Sequence, residues 1–162
     1  MSRIKNIDLA PSGREKINWV RSYMPILSLI EEEFRSTKPF AGLKIAMSIK
    51  KKKKTANLAY VLRSGGAKVY ATGCNPLSTQ DDVAAALASD GFAVFAVHGA
   101  TENEYRDDRK AALSCRPDLI IDDGGDFVSL LHGESRPYAE NLTGGCEETT
   151  TGIHRLFARE KA

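Results

Sequence analysis

Cysteine is scarce and unpatterned in this chain. Cys74, Cys115 and Cys146 are odd in number and form no Cys-x-x-Cys pair, so neither a disulfide framework nor a zinc site is suggested, and reduced thiols are the default. No apolar run approaches the ~20 residues that span a bilayer. The opening Met1-Ser-Arg-Ile-Lys-Asn-Ile-Asp8 also lacks the apolar core of a secretory signal. A cytoplasmic location without a membrane partner is therefore expected. An excess of one charge is missing as well: 23 Lys and Arg stand against 21 Asp and Glu, a net +2. That balance gives no global reason to expect nucleic acid.

What is present is ordinary for a globular protein. The 162 residues are 42% hydrophobic and 27% charged, enough for one domain over 1–162 that buries about two-thirds of its unfolded surface. Ser12 to Arg35 places apolar residues at near-helical spacing. Pro25 divides it, because proline removes a helical hydrogen bond outside a first turn. Two helices meeting at Met24-Pro25 are predicted within 12–36, with Trp19 as a core anchor. From residue 43 to 162 strand and helix patterns alternate. The strands are Leu43 to Ile49, Lys68 to Thr72, Ala93 to His98 and Leu119 to Asp122. The helices are Thr55 to Arg63, closed by Gly65-Gly66, then Thr79 to Ser89, Glu102 to Ser114, and a short one near Phe127 to His132. Ser78 or Thr79 would cap the second of these. Pro137 to Gly145 reads as a loop, and Ile153 to Ala162 as a terminal helix. Alternation at roughly 25-residue intervals implies a doubly wound, Rossmann-like α/β fold, a parallel sheet with helices on both faces, because each parallel pair needs a crossover.

Two stretches carry unusual polarity. Asp118-Leu-Ile-Ile-Asp-Asp-Gly-Gly-Asp126 is a short buried strand running into a tight turn, with Asp122, Asp123 and Asp126 beside a glycine pair. One Asp after a strand commonly caps the next helix. Three together indicate a site, since clustered like charges cost free energy unless something uses them. Lys50 to Lys54 is a run of five lysines where the first strand ends. It reads as a solvated surface, as an anion site at a helix N-terminus, or as an altered pocket. In a doubly wound sheet the strand C-termini open on one edge. The segments Lys50 to Thr55, Gly73 to Asn75, His98-Gly99, Asp122 to Asp126 and Glu147 to Thr151 should therefore converge. The hexapeptide Glu147-Glu-Thr-Thr-Thr-Gly152 reads independently as a helix N-terminus, with threonine caps and glutamates at the positive end of the dipole.

Asn75-Pro-Leu-Ser-Thr-Gln-Asp81, Ile120-Ile-Asp-Asp-Gly-Gly-Asp126 and Glu147-Glu-Thr-Thr-Thr-Gly-Ile-His-Arg-Leu156 resemble motifs of the adenosylhomocysteinase (S-adenosyl-L-homocysteine hydrolase) family, in the family's order and spacing. Ile17-Asn-Trp-Val20 and Tyr23-Met-Pro25 resemble its bacterial and archaeal branch. The resemblance covers about Ile17 to Leu156, which is the N-terminal, substrate-binding part of a family member. It implies a reversible split of S-adenosylhomocysteine into adenosine and homocysteine. In that reaction a tightly held NAD oxidises the ribose 3′-hydroxyl, the resulting ketone acidifies the 4′ proton, and the ketone is reduced again after water has added. Carried over residue by residue, Asp123 matches the catalytic carboxylate and Glu148 and Thr149 match ribose-binding residues. Thr55 matches a pocket threonine, and Cys74 and Asn75 match positions near the homocysteine.

Two departures stand out. The sequence has no Gly-x-Gly-x-x-Gly, and it lacks the ribose-gripping lysine and aspartate, the NAD domain and the tail that follow in the family. No cofactor is expected in this chain alone, and turnover would need a separate NAD-binding chain. An apolar patch left by the absent part would favour homo-oligomers. Second, Lys50 stands where the family has histidine and Lys52 where a pocket residue belongs. At Lys54 the family has a glutamate that reads adenine or, in the bacterial and archaeal branch, a lysine. Lysine titrates about four pH units above histidine, so Lys50 is no conservative replacement. The expected ligand is adenosine or an S-adenosylhomocysteine-like nucleoside. The alternative is a non-catalytic module that uses the lysine segment for an anionic ligand or partner. RNA is disfavoured by the near-neutral charge and by the lack of aromatics among the lysines.

Overall fold

A computed structural model describes residues 2–49 and 53–161. Helix α1 (Ala10–Arg21) starts with a proline in its first turn, and α2 (Pro25–Thr37) starts on Pro25 itself, where the missing N–H costs no bond. Then come β1 (Lys44–Ser48), α3 (Lys53–Ser64), β2 (Lys68–Thr72), α4 (Asp81–Ser89), β3 (Ala93–Phe95), α5 (Glu102–Leu113), β4 (Leu119–Asp122), α6 (Asp126–Leu131), β5 (Gly144–Glu147) and α7 (Thr150–Glu160). The strands form one all-parallel sheet in the order β3-β2-β1-β4-β5. This is the doubly wound α/β architecture that the alternation implied.

Both faces of the sheet are covered, so β1 is apolar at successive positions rather than alternately. Ile45 and Met47 pack with Val69 and Val94 against Ile17, Ala59 and Leu87. Ala46 and Ile120 face the other way, toward Leu113, Phe127 and Leu131. Helix α1 lies directly on α4 at Gly13, where a Cβ would stand 1.9 Å from the Asp82 carbonyl oxygen. Only glycine permits that approach. Gly66, at φ +95°, ends α3 in the left-handed turn expected of the glycine pair.

Several expectations need correction. Trp19 is 55% exposed and no core anchor. It lies on the outer face of α1, beside Tyr23 and under the Lys53 ammonium. Strand β3 stops at Phe95, because the next residue pairs with the N-terminal segment: Arg3 N–H donates to Val94 O and Ala96 N–H to Arg3 O. Helix α4 starts at Asp81 without a side-chain cap from Ser78 or Thr79, which lie in or just after a 3-10 turn over Pro76–Ser78. The loop expected over 137–145 is partly strand, since Gly144 and Gly145 begin β5 against Leu119 and Ile120. No described helix is long and apolar enough to cross a membrane.

Candidate functional site

The sheet order changes direction between β1 and β4, and the crevice outside the C-terminal ends of two such strands is where doubly wound sheets bind ligands. Met47 pairs with Ile121 there, so Asp122 and Asp123 leave the sheet at that crevice. The three aspartates of the turn then take separate duties. Asp122 is buried. Its Oδ2 accepts the N–H groups of Phe127 (2.8 Å) and Val128 (3.2 Å), and its Oδ1 accepts that of Asp123 (3.0 Å). It is the helix cap that a single aspartate after a strand suggests. Burial pushes its carboxyl up to about 6 against those hydrogen bonds, with the nearby Glu147 charge adding to the rise. Asp126, in the first turn of α6, is ion-paired with Arg109 at 2.9 Å and Arg155 at 3.6 Å, and accepts from Tyr105 Oη at 3.1 Å. Burial and the Asp126 charge raise the Tyr105 phenol, whose one proton is shared between Asp126 and the Cys74 carbonyl. Asp123 is the third carboxylate. It is 9% exposed, and its Oδ2 accepts from the Cys74 thiol at 3.0 Å.

A second turn closes on the first. Glu147, the last residue of β5, reaches into the β4–α6 turn, where its Oε1 accepts from Gly124 N–H at 2.7 Å and its Oε2 from Gly125 N–H at 3.0 Å. Both glycines have positive φ, which L side chains rarely adopt. The Glu147 Oε1 also accepts from Thr149 N–H at 2.9 Å and Thr149 Oγ1 at 2.8 Å. Against the cost of burial, these donors hold the Glu147 carboxyl below its ordinary value. Thr149 caps α7 by accepting from Gly152 N–H at 3.0 Å. Glu148 is pinned by its N–H to Asp122 O at 3.0 Å, with its side chain exposed. Arg155 adds a 2.6 Å bond to the Gly124 carbonyl.

Of the residues singled out from sequence, Cys74, Asp123, Glu148 and Thr149 are thus gathered by direct contacts or through one shared turn. Asn75 is exposed, and its Oδ1 is engaged in capping the 3-10 turn at Leu77 N–H. Thr55 is half-buried beside Met47 and Thr72. Lys54 is exposed on the wall of a groove with Trp19, Tyr23 and Met24. Lys50 and Lys52 lie outside the described residues. His98 is exposed and rests its Nδ1 3.0 Å from the Thr79 carbonyl. Glu147 and Tyr105 were not singled out as site residues. Glu147 stood inside a quoted motif. Tyr105, near the start of α5, gave no local signal. A cavity of about 620 Å³ lies behind these turns, lined by Ile120, Leu131, Leu142, Asp122 and Glu147. Asp123 is not in its lining, but Asp122 and Glu147 border it, so this space adjoins the polar turns from behind.

Comparison with known proteins identifies the family. The family model for S-adenosyl-L-homocysteine hydrolase matches residues 1–142. The S-inosyl-L-homocysteine hydrolase of Methanococcus maripaludis is 51% identical over 156 residues, 96% of this chain and 38% of that protein. That of Methanocaldococcus jannaschii is 49% identical over 161 residues, 99% of this chain and 39% of the relative. The adenosylhomocysteinase of Pyrococcus abyssi is 49% identical over 158 residues, 98% and 37% respectively. The chain therefore spans less than two-fifths of the length of these relatives.

Proposed function

The chain belongs to the S-adenosyl-L-homocysteine hydrolase family, and from that premise we propose that it is the substrate-binding portion of a purine-nucleosyl-homocysteine hydrolase. The observation that carries the reading is the joining of the Cys74–Asp123 contact to the Glu148–Thr149 turn at the switch point of the sheet. Asp123 is the acid/base group. Of the three clustered aspartates it is the one engaged neither in capping α6 nor in an arginine pair, and it sits on a rigid strand end, where a base must be held to meet its proton. Glu148 and Thr149 face the ribose, while Cys74 and Thr55 line the pocket. Hydrolases of both adenosyl and inosyl substrates are among the relatives. Lys54 suits the inosyl class, because an ammonium can donate to a purine carbonyl oxygen but cannot accept from an exocyclic amine.

The NAD implied by the family does not fit the Gly124–Gly125 turn. The Gly124 and Gly125 N–H groups, the natural cradle for a pyrophosphate, are already taken by the Glu147 carboxylate, which would also repel phosphate. Turnover thus requires a further polypeptide segment that carries the dinucleotide.

Calorimetric titration with adenosine, inosine, S-adenosylhomocysteine and ATP, at low and physiological salt, tests the reading. Salt-insensitive binding of a neutral nucleoside, weakened about tenfold or more by Asp123→Asn, is expected. Binding of ATP alone, fading with salt and indifferent to Asp123, would replace the reading with an anion-binding module built on the lysine segment.

A further inference from the structure

We propose that Glu147 is a positioning residue, whose carboxylate fastens the Asp123 turn to the Glu148–Thr149 turn and fixes the direction in which Thr149 hydrogen-bonds a ribose. The second half of this statement rests on the substrate reading above; the first stands without it.

Four donors converge on the one carboxylate, from Gly124, Gly125 and both the N–H and the hydroxyl of Thr149. They come from two turns that follow different strands, β4 and β5. An ionised carboxylate suits all four, three on Oε1 and one on Oε2, because both oxygens carry negative charge and neither carries a proton. An amide or hydroxyl at this position could not. The surroundings are shaped to admit it. A Cβ at Gly152 would stand 2.1 Å from Glu147 Cδ and 2.3 Å from its Oε1, so the first turn of α7 must be bare there for the carboxylate to enter.

The consequence for Thr149 follows from counting. A hydroxyl has one proton and two lone pairs. The Thr149 proton goes to Glu147, and one lone pair accepts from Gly152 N–H. What remains is a single acceptor site. A ligand hydroxyl that meets Thr149 must therefore donate to it, and a group that can only accept is refused. Glu147 thus does two things without touching substrate. It keeps the acid/base turn and the ribose turn in one rigid body, and it orients Thr149 to recognise a hydroxyl donor.

The test breaks the carboxylate contact from opposite sides, with Glu147→Ala and Gly152→Ala. Hydrogen exchange by NMR is read at Gly124 and Gly125, and affinity is measured for adenosine and inosine beside their 2′-deoxy and 3′-deoxy forms. Both variants are expected to speed exchange at the two glycines by about tenfold or more, and to cut the preference for ribo over deoxy nucleosides by about tenfold, the worth of one directed hydrogen bond. Asp123→Asn is the control. It should weaken binding yet leave both the glycine exchange and the ribo/deoxy ratio as in the parent chain. If Gly152→Ala fails to fold, Glu147→Ala carries the test alone. Unchanged glycine protection in Glu147→Ala, or an unchanged ribo/deoxy ratio, overturns the proposal. Loss of protection in a chain whose parent binds none of the nucleosides supports the fastening and overturns the substrate reading, so the two failures are told apart.

Discussion

The two edges of the sheet are finished differently. At the β3 edge the chain covers itself: Arg3 pairs with β3 as a short extra rung, and its guanidinium grips Asp108 of α5 with two bonds of 2.5 Å. At the other edge β5 is Gly-Gly-Cys-Glu, with Gly145 and Cys146 exposed. None of the usual edge guards, proline, lysine or a bulge, is in that strand. The candidate site runs from the β1–β4 crevice toward the C-terminal end of β5, the less protected edge. The contrast is one of protection: the β3 edge is covered by the N-terminal segment, whereas β5, next to the strand that leads into Asp123, is held by the Glu147 contacts.

Substitutions at the two edges can break or sharpen that contrast. The largest effect is expected from Gly145→Val. A Cβ there would stand 2.5 Å from Ile120 Cγ1, so β5 must part from β4, at a cost of about 3 kcal/mol in urea unfolding. At the β3 edge, Arg3→Ala leaves Asp108, only 3% exposed, without its partner. A loss of about 2 kcal/mol is expected by the same measurement, less than for a fully buried pair because Arg3 is partly exposed.

A pH series is the third probe. The Asp122 carboxyl is held up to about 6 by burial, above its unfolded value of about 4. Its favourable contribution is therefore complete below about pH 4 and is lost as pH rises through about 6, on the order of 2 kcal/mol. Asp122→Asn should flatten that fall. A variant whose stability still drops as the parent's does between pH 4 and 6 would show that another group is responsible. The smallest effect is expected from Gly144→Val. A Cβ there meets nothing within 4 Å, and a β-branched residue suits a strand, so unfolding should shift by less than about 0.5 kcal/mol. A large loss would mean that the outer side of β5 is not open.

The β3 half of the fold was easier to read from sequence than the β5 half. Strands such as Lys68 to Thr72 and the alanine-rich helix Asp81–Ser89 announce themselves by local pattern. Gly144-Gly145-Cys146 has little strand propensity, and becomes a strand because β4 offers it an unpaired ladder. Arg3 joins β3 for the same non-local reason. Trp19 misled because size favours burial on average, whereas this ring finds a cation and a tyrosine at the surface instead. In the site, Asp123 and Asp122 are adjacent and chemically identical in sequence. Only the direction of each side chain, one toward the α6 N–H groups and one toward the Cys74 thiol, separates a cap from a candidate base. Glu147 was hidden by its own motif, in which helix capping is sufficient reason for a glutamate.

The N-terminal rung on β3 also orders events in time. Arg3 and Asp108 are 105 residues apart, and synthesis adds about 5–20 residues per second. Arg3 therefore waits on the order of 5–20 s after leaving the ribosome before its partner exists. During that interval β1, β2 and their helices can already have packed. Strands β4 and β5 follow Asp108 in the chain, so the β3 edge can close before the edge beside the candidate site has been made.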